Sequence, residues 1–414
     1  MVCKNCGSDL TEDSRFCPVC GAAVTTDEKQ TEEIREVQTA PKRNVAAEMK
    51  RAYNLSTLST MLVFGVQSLV TEIIGGLIAG IAAFRLFYLD FEGFNGADFL
   101  QKGTNVSQIS NLIEGHRGAV FAIFLVYFFL YAIGMTAGIL FSGIIRKRLV
   151  ASAPEKKKLT GMQLVSVIFI ALGLWGVGVI IGNSPSYIVP IRFDFDFGYA
   201  MIPYYILIII GAPVFEELIF RKLMLDRLAP YGEKTAIFFT ALIFGMAHQN
   251  GMQFFLAFFI GLLFAVIYLH TGRIIYSMIL HCIINSFATL SDIGKLIFGS
   301  GFDTVWVMIA LVLTVTGVVF AVVCRKDPLF RAASNEADPL CGQAFKGWGF
   351  ILAKVIVTIS VITNGIFYTV FSFIVGNGAL SLLYLIPAAL AVTVILAAPG
   401  TFVKRMSVSP PDVI

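Results

Sequence analysis

Charge is what this chain has least of. Of its 414 residues only 14% are Asp, Glu, Lys or Arg, against roughly a quarter in soluble domains. A chain this long with so few charges cannot cover a water-facing surface, which excludes an ordinary soluble enzyme and a disordered protein alike. Tryptophan and histidine are also scarce, at 3 and 4 residues, so each histidine in an apolar stretch needs a reason. No HExxH, no GxSG and no pair of membrane-centred aspartates occurs. What is present is hydrophobic: 57% of the residues, 37 of them Phe, with a mean hydropathy of +0.80. The formal charge of +4 gives no ground for a nucleic-acid partner, because the basic residues lie in short loops between apolar runs. The partner that the composition demands is a lipid bilayer.

Residues 1–53 hold no apolar run, and no cleavable signal peptide is expected there. Beyond them, runs long enough to cross roughly 30 Å of hydrocarbon recur. They fall near 58–88, 118–145, 163–182, 199–221, 235–249, 253–270, 274–291, 304–324, 349–375 and 379–399. The expected fold is an all-α polytopic membrane protein of about ten transmembrane helices, preceded by a small N-terminal module. Basic residues collect after the second span (Arg146 to Arg148, Lys156 to Lys158), the fourth (Lys222, Arg227, Lys234) and the eighth (Arg325, Lys326, Arg331, Lys346). Loops of the other parity are poor in them. The positive-inside rule then puts both termini in the cytoplasm of a multi-pass cell-membrane protein.

The seven cysteines are segregated. Cys3-x2-Cys6 and Cys17-x2-Cys20 come first, separated by ten residues, each pair followed by glycine, Gly7 and Gly21. Four thiolates so spaced suit tetrahedral Zn²⁺ with bonds of about 2.3 Å, and a segment without a core would be held folded mainly by that metal. The segment resembles the small zinc-ribbon modules at bacterial protein termini. Its purpose stays open between a structural cap, docking of a protein partner and metal sensing. Disulfides would require an oxidising compartment, contrary to the expected cytoplasmic side.

An ionised side chain at the centre of a membrane helix costs on the order of 2.5–3.5 kcal/mol, and the chain concentrates such groups. "PVFEELIFRK" carries Glu216, Glu217 and Arg221, "ALIFGMAHQ" carries Phe244 and His248, and "MILHCIINS" carries His281 and Asn285. Pro230 and Gly232 mark a turn between the fourth and fifth spans. A hairpin about Gly232 sets Glu216 and His248, each sixteen residues from it, opposite one another. His281 and Asn285 fall roughly 12–18 Å into the seventh span at 1.5 Å per residue. Glu217 and Arg221, at i and i+4, can pair on one face, which leaves Glu216 free as the chemical carboxylate. A carboxylate beside imidazoles can activate water as a general base, with imidazole and amide stabilising an oxyanion. Two histidines and a glutamate are equally a zinc set with a metal-bound water, so a catalytic metal stays open at this point.

EExxxR at Glu216–Arg221, FxxxH at Phe244–His248 and HxxxN at His281–Asn285, in this order, resemble the CPBP family of intramembrane proteases. This family comprises the CAAX-prenyl protease, bacteriocin-processing and self-immunity (Abi) proteins. The resemblance implies an endopeptidase acting on membrane-embedded or membrane-associated peptide or protein substrates. It implies Glu216 as the base, His248 as its partner, and His281 and Asn285 as oxyanion stabilisers, by a glutamic or a metallo mechanism. The expected organisation is a zinc ribbon over 1–24, a polar linker over 25–53, N-terminal spans over 54–160, a protease core over 161–292 and C-terminal spans over 293–414. Two other classes compete. A non-enzymatic receptor or immunity protein on the same scaffold would show no Glu216-dependent turnover. A transporter using Glu216 and His248 as proton relays would show gradient-coupled uptake in proteoliposomes.

Overall fold

In the computed structural model, the residues described are 44–78, 80–81, 114–182, 198–299, 301–330, 340–372, 382 and 385–407. Residues 2, 3, 5–9, 17, 19 and 20 of the N-terminal segment are also described. The chain divides into two compact units, Met1–Val45 and Ala46–Ile414.

In the first unit Val2 and Asp9 form an antiparallel bridge around a turn in which Gly7 takes a φ of 76°. The Cys3 N–H donates to the Ser8 carbonyl at 2.8 Å and the Gly7 N–H to the Cys3 carbonyl at 2.8 Å. This tight knuckle turns the Cys3 and Cys6 thiols to one side. Of the rest of the expected ribbon only Cys17, Val19 and Cys20 are described, and most of the linker lies outside the described residues.

The second unit is helical. We number its helices α1 (Val45–Ser68), α2 (Arg117–Arg146), α3 (Gly161–Gly182), α4 (the run Gly198–Tyr231) and α5 (Glu233–Ala247). They are followed by α6 (Gly251–Thr271), α7 (Ile274–Phe298), α8 (Phe302–Val323), α9 (Trp348–Ser372) and α10 (Leu385–Ser407). Eight of the described helices are long and apolar enough to cross a membrane; α5 is shorter, and Ile274–Leu290 of α7 forms a shorter apolar stretch. Large aliphatic side chains stand exposed along α8 and α9, the surface that lipid covers. The protein is a multi-pass membrane protein.

Several boundaries differ from those that hydrophobicity marks. Helix α1 starts at Val45, inside the segment expected as linker, because its first turns bury Met49, Ala52 and Tyr53 alongside Ser56, Thr57, Ser59 and Thr60. Those hydroxyls meet other helices rather than water. The fourth span extends ten residues beyond Arg221, to Tyr231.

Two apolar clusters meet at α6. One gathers residues of α1, α2, α4, α5, α6, α9 and α10; the other packs α3, α6, α7 and α8 around Trp175 and Phe264. Helices α3 and α8 approach through Gly173 and Gly317, where a Cβ on Gly173 would come 2.7 Å from the Gly317 Cα. Small residues permit such close backbone contact where lipid supplies no hydrophobic drive between helices. Phe169 and Phe320 stack beside it at 4.8 Å.

The connection from α2 to α3 ties down the ends of α4 and α6. The Ser152 N–H donates to the Asp226 carbonyl at 2.8 Å and the Lys157 N–H to the Thr271 carbonyl at 2.7 Å. The buried Asp226 carboxylate accepts from Tyr268 Oη at 2.7 Å and Lys222 Nζ at 3.3 Å. These bonds fix the α4–α5 hairpin and the α6–α7 turn, and so the three helices that carry the polar motifs.

Candidate active site

Helix α4 is wound unevenly around its two glutamates. Leu207–Gly211 and Leu218–Leu225 are π-helical, with the α-helical Ala212–Glu217 between them. Wider i→i+5 turns of this kind are frequent at functional sites. Their effect here is to re-aim side chains relative to a straight helix. Glu217 turns into the bundle and Glu216 toward the edge of the site: their side chains are 0% and 16% exposed. Glu216 keeps a small exposed surface, although its Oε2 is buried, and Glu217 has none.

Glu217 is the hub. Its Oε2 accepts from Arg221 Nε at 2.9 Å, as the i, i+4 spacing predicts, with both side chains fully buried. Its Oε1 lies 3.2 Å from His281 Nδ1. The other face of the same imidazole points to the second carboxylate, with His281 Nε2 3.7 Å from Glu216 Oε2. His281 therefore bridges the two glutamates. A carboxylate only accepts, so the Glu217 bond places a proton on Nδ1 and leaves Nε2 to exchange a proton with Glu216. Glu216 Oε2 has no hydrogen-bond partner among the described residues, and neither do the terminal nitrogens of Arg221.

His248 follows the last residue of α5, and its Nδ1 lies 3.0 Å from the Phe244 carbonyl. That oxygen is also only an acceptor, so Nδ1 carries the proton and Nε2 is the basic nitrogen. The Phe244 ring meets both imidazoles edge-on, with centroids 5.2 Å from His248 and 5.8 Å from His281, and lies 5.7 Å from the Arg221 guanidinium. The FxxxH motif thus supplies a partition as well as a histidine.

Two contacts bear on the sequence expectation. Glu216 was expected opposite His248; among the described residues the two form no ion pair, and the imidazole facing Glu216 is His281. The π-helical turns account for this, because the hairpin register assumes straight helices. Asn285 was expected to face a substrate oxygen, whereas its Nδ2 donates to the Ile208 carbonyl at 2.8 Å. That carbonyl belongs to the π-helical stretch Leu207–Gly211, so Asn285 pins the segment that leads into the glutamates.

Two aromatic residues were not singled out from sequence. Phe264 of α6 packs 5.5 Å from the His281 ring. Tyr131 of α2 packs against Phe215, the residue before Glu216, with ring centroids 6.2 Å apart. A tyrosine among the phenylalanines of a membrane helix was the available signal for the second.

The N-terminal thiols form a separate site. Cys3 Sγ lies 3.7 Å from Cys20 Sγ and Cys6 Sγ 3.5 Å from Cys17 Sγ, with all four sulfurs within 4.8 Å of one another. Four sulfurs about 2.3 Å from one Zn²⁺ stand about 3.8 Å apart, so the set fits the ion. Ser8 Oγ sits 3.1 Å from both Cys6 and Cys17. Its hydrogen bond is the main cause that lowers Cys17 to a pKa of about 6, and it lowers Cys6 as well.

Charged and imidazole groups from three adjoining helices gather here in apolar surroundings. The comparisons agree at the level of domains. Residues 198–287, which include every residue of the three motifs, match the family model described as Type II CAAX prenyl endopeptidase Rce1-like, and residues 2–24 match a zinc-ribbon domain. Together the two matches cover the motif-bearing helices and the N-terminal cysteines. No curated protein and no solved structure matches the chain.

Proposed function

We propose that the protein is an intramembrane endopeptidase in which Glu216 activates the attacking water and His281 shares the transferred proton. The observation that carries this is one imidazole between a buried, ion-paired carboxylate and an unpaired, partly exposed one, at 3.2 Å and 3.7 Å. The Arg221–Glu217 pair holds charge and orientation constant, while Glu216 is left with an unpartnered oxygen. Water attack on a peptide carbonyl delivers its proton to Glu216. The proton passes from Glu216 toward His281 Nε2 and then to the leaving amine. His248, through Nε2, is the second basic group, and developing charge on the carbonyl oxygen is met by a protonated imidazole. The substrate class is membrane-embedded or membrane-associated peptides, and whether they are prenylated is a matter for experiment.

A metal version of the same chemistry fits less well. His281 directs its two nitrogens at different carboxylates, and among the described residues the four cysteines are the only group of three or more ligands whose donor atoms converge. We therefore route no step through a metal. The zinc of the N-terminal ribbon is structural in this account, and the basic loops favour cytoplasmic termini. Comparing membrane-protein fragments in cells carrying the native chain and Glu216→Ala tests the function. Fragments that disappear with Glu216 support it, and identical fragment patterns contradict it.

A further inference from the structure

The turn that follows His248 is held by helices outside the Rce1-like match. Helix α5 has 15 residues, about 22 Å at 1.5 Å per residue, short of the roughly 30 Å of hydrocarbon. Its end, at His248 to Asn250, is non-helical backbone at membrane depth, where polar groups must find protein partners. Gln249 has a φ of 51°, the one positive value at a non-glycine residue among those described. A side chain with a Cβ adopts this left-handed conformation only when its surroundings impose it.

Helix α9 bonds this residue through both its side chain and its carbonyl. Ser360 Oγ donates to Gln249 Oε1 at 2.9 Å, and Asn364 Nδ2 donates to the Gln249 carbonyl at 3.0 Å. Asn364 is itself oriented by a second bond to the Ser360 carbonyl at 3.0 Å. On the other side of the turn, a Cβ on Gly251 would come 2.7 Å from the Ala388 backbone nitrogen and Cα, so α10 lies flush against the start of α6. Both ends of the turn are gripped by C-terminal helices more than a hundred residues away in sequence. His248 is the next residue upstream of Gln249, and its ring is fixed to the end of α5 through Phe244.

We infer that Ser360 and Asn364 are positioning residues for His248, and that α9 and α10 serve as a clamp on the protease domain. The inference rests on the proposed role of His248. Releasing Gln249 lets its backbone leave the left-handed region, which displaces the neighbouring imidazole while leaving Glu216, Glu217 and His281 in place.

The test uses the full chain in proteoliposomes with a cleavable membrane peptide, comparing Ser360→Ala, Asn364→Ala, Asn364→Ala with Gln249→Gly, and Glu216→Ala. Asn364→Ala should lower kcat by roughly ten- to a hundredfold, the scale of a small misplacement, with KM unchanged. It should also speed amide hydrogen exchange at 248–251. Adding Gln249→Gly should restore part of kcat, since glycine takes positive φ without a Cβ penalty. Wild-type kcat and unchanged exchange in both single variants would overturn the clamp. So would a rate loss that follows global unfolding and does not recover with glycine. If Glu216→Ala cleaves at the native rate, the site assignment fails instead, and exchange at 248–251 still decides the clamp.

Discussion

Arg221 Nε donates to Glu217 Oε2 at 2.9 Å in a place where neither side chain touches solvent. Breaking a buried pair from one side leaves an uncompensated charge and costs about 3–5 kcal/mol. Arg221→Met is expected to destabilise the protein by that order, seen as a lowered unfolding temperature in detergent. Joining it to Glu217→Leu should recover much of the stability and none of the activity, because His281 then has no acceptor for Nδ1. Full activity in the double variant would show that the bridge has no role.

Glu216 has the opposite profile. Its Oε2 is buried without a hydrogen-bond partner among the described residues, so Glu216→Gln should leave thermal stability unchanged or slightly raised. Cleavage should fall by at least about two orders of magnitude, the range of general-base catalysis. A parallel fall in stability would reassign Glu216 to a structural role.

Helices α3 and α8 depend on the absence of a side chain at Gly173. Gly173→Leu forces them apart and should cost about 1–3 kcal/mol, the usual range for overpacking. Gly118→Ala, at a site with open space around the added Cβ, is the control and should be neutral within about 0.5 kcal/mol. The comparison is read from thermal unfolding of the two variants in the same detergent.

Zinc binding by the ribbon should depend on acidity in a defined direction. Cys17 is lowered to about 6 by its hydrogen bond from Ser8, so its thiolate is the main form above that pH. Protons and the metal compete for the thiolates, so zinc is held less tightly as pH falls. Ser8→Ala removes the main lowering cause and should shift zinc release to higher pH, measured with a chromogenic chelator. An unshifted release curve would show that Ser8 does not tune the thiol.

The sequence exposed the membrane helices because long apolar runs are visible without any contact information. It exposed the motif residues because ionisable groups are conspicuous in such runs. It misplaced the start of α1, where Ser56, Thr57, Ser59 and Thr60 are buried in helix contacts and look polar on paper. The His281–Glu216 contact was hidden for a different reason. The register drawn from Gly232 assumes uniform helices, and the π-helical turns of α4 rotate the glutamates toward α7. Asn364 lies in the apolar helix α9. Its bond to Gln249 joins positions 115 apart, a separation that no local pattern bridges.

The central claim is that Glu216 is the group that turns water into a nucleophile. The direct measurement is the cleavage rate of a defined membrane peptide by purified protein in proteoliposomes, for the native chain, Glu216→Gln and His281→Ala. The account predicts cleavage by the native chain, in the presence or absence of a metal chelator, and none above background for Glu216→Gln. Cleavage by Glu216→Gln at the native rate would contradict it.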